Sequence, residues 1–214
     1  MKLLLTSAGW WENPKIGKEF LKLVGKKPSE IRVLLVMTPI KYLKRNKYVR
    51  RQFRQFKGVA IPKQNITFSQ LNRKTRKDDL KNIDVVFVMG GNTFEYLQRM
   101  RKTGLDKAIK SFVKKGGVYV GLSAGSYVVC PTIKAASWKH ADRNIVGLKN
   151  LKGLNLVPFL LTAHFEQKLR PLIKKEAEGT KYEVIALTDK QAVLIEGTQR
   201  KIIGSGGKNI FNSP

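Results

Sequence analysis

Four runs of apolar residues occur in the first part of the chain, and each is followed within a few residues by glycine or proline. They cover residues 2–7, 31–37, 83–88 and 118–122. Because apolar residues fill these runs without alternating with polar ones, we expect strands that are buried on both faces, as in a parallel sheet.

Segments with apolar residues at helical spacing separate these strands. One covers residues 15–24, a second is the basic stretch at 41–57, and two more run from 94 to 104 and from 105 to 115. Asn92 or Thr93 is the expected cap of the third helix, because such side chains accept hydrogen bonds from free backbone N–H groups. Strands that alternate with helices predict an α/β protein whose sheet is covered on both sides.

The remaining segments are shorter or less regular. They are extended pieces at 58–70, a strand-like run at 153–165, a charged helix at 166–178 and short strands at 184–188, 192–196 and 201–203. We expect the last strands to form antiparallel hairpins, with turns at residues 189–190 and at Gly197.

The fourth apolar run leads into Gly121-Leu122-Ser123-Ala124-Gly125, which has the form G-x-S-x-G. Between a strand and a helix, this pattern indicates a nucleophile elbow, in which a sharp turn exposes a serine at the carboxyl end of the strand. The two glycines have no Cβ atom and leave room for that turn. A glycine-rich turn with a serine at the helix N-cap is the alternative interpretation.

A second glycine-rich turn, Met89-Gly90-Gly91-Asn92, follows the third apolar run. In a parallel sheet both turns lie at the carboxyl edge, where ligands of α/β proteins bind. Two adjacent backbone turns supply N–H groups from two segments, as an oxyanion hole requires. The surroundings of Ser123 therefore favour catalysis.

The chain contains two histidines, His140 and His164. His164 ends the strand-like run downstream of the serine, where a general base for Ser123 is expected. We interpret His140 as a structural or exposed residue. Because no set of Cys, His, Asp and Glu is clustered in the sequence, we expect neither a metal nor an organic cofactor.

Composition adds a few constraints. The 214 residues are 42% hydrophobic and include one cysteine, Cys130. We therefore expect a single domain over residues 1–214 without an internal disulfide, and a cytoplasmic location. The apolar start of the chain is too short for a signal peptide, and no segment has the length of a transmembrane helix.

Charge is the unusual feature, since 42 Lys and Arg residues oppose 15 Asp and Glu residues and give a formal net charge of +27. The basic residues are densest at 41–57 and at 72–77 but occur along the whole chain. We prefer a lysine-rich solvated surface as their explanation. Non-specific contact with nucleic acid is the alternative, although no known nucleic-acid-binding motif accompanies the charge.

Taken together, the motifs resemble those of the serine peptidases of family S51, the group of peptidase E and cyanophycinase. The resemblance rests on residues 90–94, on residues 119–126 with the following Cys130-Pro131-Thr132-Ile133, and on the segment 153–165. The opening residues 3–7 and the closing residues 187–197 also fit. The resemblance implies an α/β fold, a flavodoxin-like three-layer sandwich with a mostly parallel sheet, similar to class I glutamine amidotransferases.

By position, the resemblance implies that Ser123 is the nucleophile and that His164 is the general base. The other implied site residues are Gly91 and Ala124 as oxyanion donors, and Gly90, Asn92 and Arg170 as substrate contacts. For Arg170, a solvated helix residue is the alternative interpretation. The implied substrate is a small peptide, which in peptidase E begins with aspartate. We therefore expect basic residues in the pocket.

The acidic member of the catalytic triad is where the sequence departs from the family. The aspartate of peptidase E falls on Trp138, and the glutamate of related subgroups falls on Lys134. Asp142 is the nearest acid and lies between Ser123 and His164 in chain order, so we name it as the candidate. There are two alternatives. One is a dyad of Ser123 and His164, with the imidazole oriented by a backbone carbonyl or by water, and the other is a weakened enzyme.

The sequence thus predicts a cytoplasmic serine peptidase of the S51 type that cleaves small peptides. The rival hypothesis is a catalytically degenerate amidotransferase-like module that binds a small ligand, or nucleic acid through residues 41–54. An acid within hydrogen-bond reach of His164 would separate the two. Neither hypothesis involves a membrane, and both leave the oligomeric state open.

Overall fold

The computed structural model describes residues 1–40, 42–139 and 142–212. The strands are β1 (Lys2–Thr6), β2 (Val33–Val36), β3 (Ile66–Ser69), β4 (Val85–Val88), β5 (Val118–Leu122), β6 (Leu160–Thr162), β7 (Val184–Ala186), β8 (Gln191–Glu196), β9 (Gln199–Gly204) and β10 (Asn209–Phe211). The α-helices are α1 (Pro14–Val24), α2 (Lys47–Gly58), α3 (Thr93–Thr103), α4 (Leu105–Lys114), α5 (Ala124–Tyr127) and α6 (Arg170–Glu178).

Seven strands form the main sheet, in the order β3-β2-β4-β5-β1-β8-β9. The first five of these are parallel, whereas β8 pairs antiparallel with β1 and β9 pairs antiparallel with β8. Every residue of β2 and β4 is buried, as expected for strands that are covered on both faces.

A second sheet contains three strands in the order β10-β7-β6. In it β6 and β7 are parallel, and β10 is antiparallel to β7. The chain returns from β7 to the main sheet through residues 187–190, which lead directly into β8. The loop that contains Asp189 therefore connects the two sheets.

Side chains of the main sheet alternate between two buried cores. Leu3 and Leu5 of β1 face a core shared with α3, α4, α5 and the small sheet, whereas Leu4 faces a core shared with α1 and α2. The architecture is a three-layer α/β sandwich with a mostly parallel main sheet. This confirms the predicted flavodoxin-like, amidotransferase-like fold class.

Most of the predicted elements are present, although their ends are shifted. The basic stretch forms α2, but this helix begins only at Lys47. The predicted hairpin at residues 189–190 is wrong, because β7 and β8 belong to different sheets. The hairpin at Gly197 is confirmed by the antiparallel pairing of β8 with β9.

No α-helix among the described residues has the length and hydropathy needed to cross a bilayer.

Tight backbone packing explains the glycines of the G-x-S-x-G segment. A Cβ atom at Gly125 would lie 2.3 Å from the carbonyl oxygen of Val88 in β4, and one at Gly121 would lie 2.6 Å from the backbone of Gly125. Because the opposing atoms belong to the backbone, no side-chain rotation can relieve these contacts. The fold itself therefore requires glycine at both positions.

We expect Gly125→Ala to destabilise the protein by about 1–3 kcal/mol or more, because the added methyl group forces β4 and the serine turn apart. Thermal unfolding followed by circular dichroism measures the change. Gly58→Ala is the matched control, since a Cβ atom at that position meets nothing within 4 Å. Equal unfolding midpoints for the two variants would contradict the packing argument.

Candidate active site

Ser123 lies in the turn between β5 and α5, in a conformation that few residues other than glycine adopt. Its φ and ψ angles are 49° and −109°. Backbone hydrogen bonds hold this turn: the Ser123 N–H donates to the Thr6 carbonyl at 3.0 Å, and the Ser123 carbonyl accepts from the N–H of Ser126 at 2.7 Å. Such strained residues concentrate at functional sites, where the surrounding fold enforces them.

The end of β1 supports the serine turn from the neighbouring strand. The Thr6 carbonyl also accepts a hydrogen bond from the Ser126 hydroxyl at 2.8 Å. The Thr6 hydroxyl in turn donates to the Gly121 carbonyl at 2.9 Å. Strand β1 therefore holds the serine turn on both sides of Ser123.

His164 follows β6 and brings its imidazole to the same edge of the main sheet. Its Nε2 atom lies 3.0 Å from the Ser123 hydroxyl oxygen. The backbone of His164 has a φ of 54°, and the preceding residue is fixed by a hydrogen bond from the Ala163 N–H to the Tyr127 hydroxyl at 2.9 Å. Burial raises the pKa of that hydroxyl to about 12, so it remains neutral.

Asp189 contacts the other ring nitrogen of His164, with 2.6 Å between Nδ1 and Oδ1. The hydrogen bond with His164 lowers the pKa of the Asp189 carboxyl, and Ser7 and the charge of Arg51 add to this effect while burial opposes it. The carboxylate is therefore ionised at neutral pH. An ionised partner at Nδ1 keeps the proton on that nitrogen and leaves Nε2 free to accept one.

Ser7, directly after β1, joins the two residues. Its fully buried hydroxyl donates to Asp189 Oδ1 at 2.6 Å and accepts from the backbone N–H of His164 at 2.7 Å. One side chain at the end of β1 thus fixes both the histidine and the aspartate. In the sequence, Ser7 is recognisable only as part of a small-residue loop.

The two predicted oxyanion donors flank this group. Gly90 and Gly91 line the same pocket as Ser123, and Ala124 is the residue after the serine. Among the described residues, no hydrogen-bond acceptor occupies the N–H of Gly91 or of Ala124. A side chain at Gly91 would be strained, since its φ is 154° and a Cβ atom would lie 3.0 Å from the Tyr96 ring.

Asp142, the acid predicted from chain order, does not contact His164. Its carboxylate instead accepts a hydrogen bond from the N–H of Thr93 at 2.9 Å and another from the Thr93 hydroxyl. It therefore caps the start of α3. Asp189 contacts His164 in its place, and the sequence signal for it is the one that marks His164: a polar residue just after a short buried strand.

Two of the predicted substrate contacts also lie elsewhere. The Asn92 side chain caps α3 by accepting from the Glu95 N–H at 3.0 Å, and it donates to the Arg143 carbonyl at 2.8 Å. Arg170 donates to Asn209 at 3.1 Å and covers the ring of Phe211. Neither side chain lines the pocket that contains Ser123.

The positions expected to carry the family's acid do not line the pocket that contains Ser123. Trp138 and Lys134 line a separate cavity of about 440 Å³, together with Thr132 and residues of α6. His140 lies outside the described residues. The absence of an acid at these two positions therefore leaves the contacts of His164 unaffected.

The pocket around Ser123 has a volume of about 400 Å³, and helix α2 forms one wall of it. Arg51 and Gln52 of this helix line the pocket. Among the described residues, Arg51 Nε and Gln52 Nε2 are buried atoms without a hydrogen-bond partner. Arg51 also forms an ion pair with Glu12, another pocket residue, at 3.2 Å. Sequence periodicity indicates the helix, but not that this face lines a pocket.

The arrangement provides a hydroxyl, an imidazole that can take its proton, a carboxylate that orients the imidazole, and two free N–H groups for a developing oxyanion. These are the components of acyl transfer through a serine nucleophile. No group of three or more His, Cys, Asp and Glu side chains among the described residues could hold a metal ion.

The chain matches a known protein family over most of its length. The sequence model described as Peptidase family S51 matches residues 3–203. The chain belongs to peptidase family S51. A relative named as an uncharacterized peptidase, from Listeria monocytogenes serovar 1/2a, is 30% identical over 146 residues, which is 66% of this chain and 70% of the relative.

Two relatives of this S51 chain carry the name Peptidase E. The protein of Nostoc sp. is 35% identical over 136 residues, 62% of this chain and 54% of the relative. The protein of Escherichia coli (strain K12) is 39% identical over 90 residues, 42% of this chain and 38% of the relative. The matched region thus spans about half or less of these relatives.

Solved structures share the fold of this S51 chain. A candidate peptidase E protein from Listeria monocytogenes EGD-e has a TM-score of 0.76 at 21% identity and covers 96% of this chain and 98% of its own. A peptidase from an acI-B1 Actinobacterium has a TM-score of 0.69 at 14% identity, with coverages of 100% and 91%. At such identities the likeness concerns the fold alone.

Asp189 should make the stability of this S51 protein depend on pH. Its folded-state pKa is lowered, so the ionised carboxylate stabilises the native state above the unfolded pKa of about 4. That contribution is lost as the pH falls through the lowered folded-state pKa. We expect the difference in unfolding temperature between wild type and Asp189→Asn to be largest near neutral pH and to shrink in acid. A constant difference across this range would contradict the assigned ionisation.

Proposed function

We propose that this protein is a serine peptidase that hydrolyses small peptides, with Ser123 as the nucleophile, His164 as the general base and Asp189 as the acid that orients the base. One observation carries the proposal. Contacts run without a gap from Ser123 Oγ to His164 Nε2 at 3.0 Å and from His164 Nδ1 to Asp189 Oδ1 at 2.6 Å. Membership of peptidase family S51 supports the same class of reaction.

In the proposed mechanism, His164 Nε2 removes the hydroxyl proton as Ser123 Oγ attacks the peptide carbonyl carbon. The N–H groups of Gly91 and Ala124 stabilise the oxyanion of the tetrahedral intermediate. Protonated His164 then gives its proton to the leaving amine, and an acyl-enzyme remains on Ser123. A water molecule, deprotonated by His164, hydrolyses that ester and restores the serine.

The pocket supports a short, charged substrate. Its volume of about 400 Å³ is at the lower end of the range of small-molecule sites, roughly 300–1,000 Å³. Arg51 and Glu12 offer opposite charges in this pocket. A dipeptide that begins with aspartate would present a side-chain carboxylate to Arg51 and an α-ammonium group to Glu12, so we propose such dipeptides as substrates.

The rival hypothesis of a degenerate binding module depended on the lack of an acid for His164. Asp189 supplies a carboxylate at hydrogen-bond distance from the imidazole, and this contact favours an active enzyme over that hypothesis. The position of the acid after the histidine in chain order does not weaken the proposal, because catalytic triads are defined by geometry and roles rather than by sequence order.

Hydrolysis of a panel of Asp-X dipeptides and non-acidic dipeptides tests the proposal. We expect Ser123→Ala and His164→Ala to reduce kcat by at least about 10³-fold. Asp189→Asn should reduce kcat by about 10²- to 10⁴-fold, because the imidazole loses the partner that fixes its tautomer.

Asp142→Asn is the matched control for Asp189→Asn, since it makes the same chemical change in an acid that caps α3. We expect this control to retain nearly wild-type kcat and to lose only a little thermal stability. Full activity of Ser123→Ala would overturn the serine mechanism. A larger loss in Asp142→Asn than in Asp189→Asn would overturn the assignment of the acid.

Arg51 is proposed to select acidic substrates. We expect Arg51→Gln to lower kcat/KM for Asp-X dipeptides by about 10- to 100-fold, the value of a hydrogen bond between charged groups. The loss should be much smaller for Ala-X or Leu-X dipeptides. Arg170→Gln is the matched control and should leave the preference unchanged, because Arg170 contacts Asn209 outside the pocket. An unchanged preference in Arg51→Gln would contradict this role.

A further inference from the structure

An apolar groove lies between α2 and the edge strand β3, on the opposite face of α2 from the serine pocket. Its volume is about 720 Å³. The apolar side chains that line it include Leu43, Val49, Phe53, Ile61, Ile66 and Phe68. Phe53 and Phe68 contact each other with their ring centroids 5.7 Å apart, and Phe68 is 39% exposed. The groove is therefore an unfilled apolar concavity at the surface.

Basic side chains form the rim of this groove. Arg50, Arg54, Lys57 and Lys63 all line it, and its lining contains no Asp or Glu among the described residues. None of these four cations forms an ion pair with a carboxylate in the described part of the chain. Two of them contact aromatic rings instead, Arg54 that of Trp11 and Lys63 that of Phe53. An apolar concavity whose basic rim has no carboxylate partner suits a ligand that is both apolar and acidic.

The strand that borders the groove has a free edge. Strand β3 is the last strand of the main sheet and pairs only with β2 in the described structure. An unpaired edge offers N–H and C=O groups to an added strand. Backbone pairing along β3 would place alternate side chains of a bound peptide toward the groove.

We propose that this groove docks an extended acidic peptide segment of a partner protein, which pairs with β3, fills the concavity with apolar side chains and neutralises the basic rim. The free edge of β3, the apolar groove and the basic rim occur together. They would recognise the backbone, the apolar side chains and the acidic side chains of the peptide, respectively. The proposal does not depend on catalysis at Ser123.

Other occupants satisfy only some of these features. Nucleic acid would neutralise the rim and could stack a base on Phe68, but it would leave the aliphatic side chains Leu43, Val49, Ile61 and Ile66 without apolar contacts and the edge of β3 unpaired. A flat anionic lipid surface would leave the concavity empty. A second copy of this chain would bring its own excess of positive charge, since the formal net charge is +27, against an already basic rim.

Fluorescence anisotropy with a labelled peptide that alternates Glu with Leu and Phe tests the proposal on the full chain. We expect saturable binding at about 0.15 M salt, where long-range attraction between exposed charges is screened. The double variant Arg50→Gln/Lys57→Gln should raise the Kd for the peptide about three- to tenfold. The single variant Phe68→Ala should also weaken peptide binding. The control is the double variant Lys107→Gln/Lys110→Gln, which removes the same charge from two exposed residues of α4. It should leave the Kd unchanged.

Several probes make the result decisive. A peptide N-methylated at alternate residues should bind more weakly, because it cannot pair fully with β3. Equal affinity of that peptide would overturn the pairing. If oligoglutamate bound with equal affinity, the role of the apolar groove would be overturned. If the α4 control weakened peptide binding as much as the substitutions at Arg50 and Lys57, the role of the basic rim would be overturned. The absence of binding, or preferential binding of a DNA oligonucleotide or of anionic vesicles, would overturn the proposal. Thermal unfolding of each variant verifies that it is folded.

Discussion

The carboxyl end of β1 is the constraint on which the candidate active site depends. Thr6 holds the serine turn of the neighbouring strand β5 through its carbonyl and its hydroxyl. The next residue, Ser7, holds both Asp189 and the backbone of His164. The last residue of β1 and the residue after it thus bring together the main sheet, which carries the serine, and the loops of the small sheet, which carry the histidine and the aspartate.

Hydrophobic patterning was sufficient to predict the parallel centre of the main sheet, because β1, β2, β4 and β5 are almost entirely buried. The flavodoxin-like class followed from the resemblance to family S51. The continuous apolar runs of these four strands leave little ambiguity, and the glycines around Ser123 follow from backbone contacts that no other residue could make. The short strand β10, by contrast, has a pattern too brief to be recognised, and its pairing with β7 depends on the tertiary arrangement.

Candidate site residues were predictable to the extent that local sequence positions them. Ser123 and His164 each end a buried strand, and the structure brings their side chains together. Although Asp189 follows a short buried strand, the sequence does not identify it as the partner of His164, because that contact depends on how two separate sheets are joined. Arg51 was missed for a similar reason: periodicity distinguishes the buried face of α2 from its exposed face, but not a solvated arginine from one at the edge of a pocket.

The chain order of the three polar residues has a consequence for the growing polypeptide. The serine emerges from the ribosome 66 residues before the aspartate, as the numbers 123 and 189 require. Strand β1 is made first, yet its partner β8 is made only after Asp189. On the proposed mechanism, a nascent chain therefore holds its nucleophile without a completed triad, and peptidase activity can begin only when the last part of the main sheet has been added.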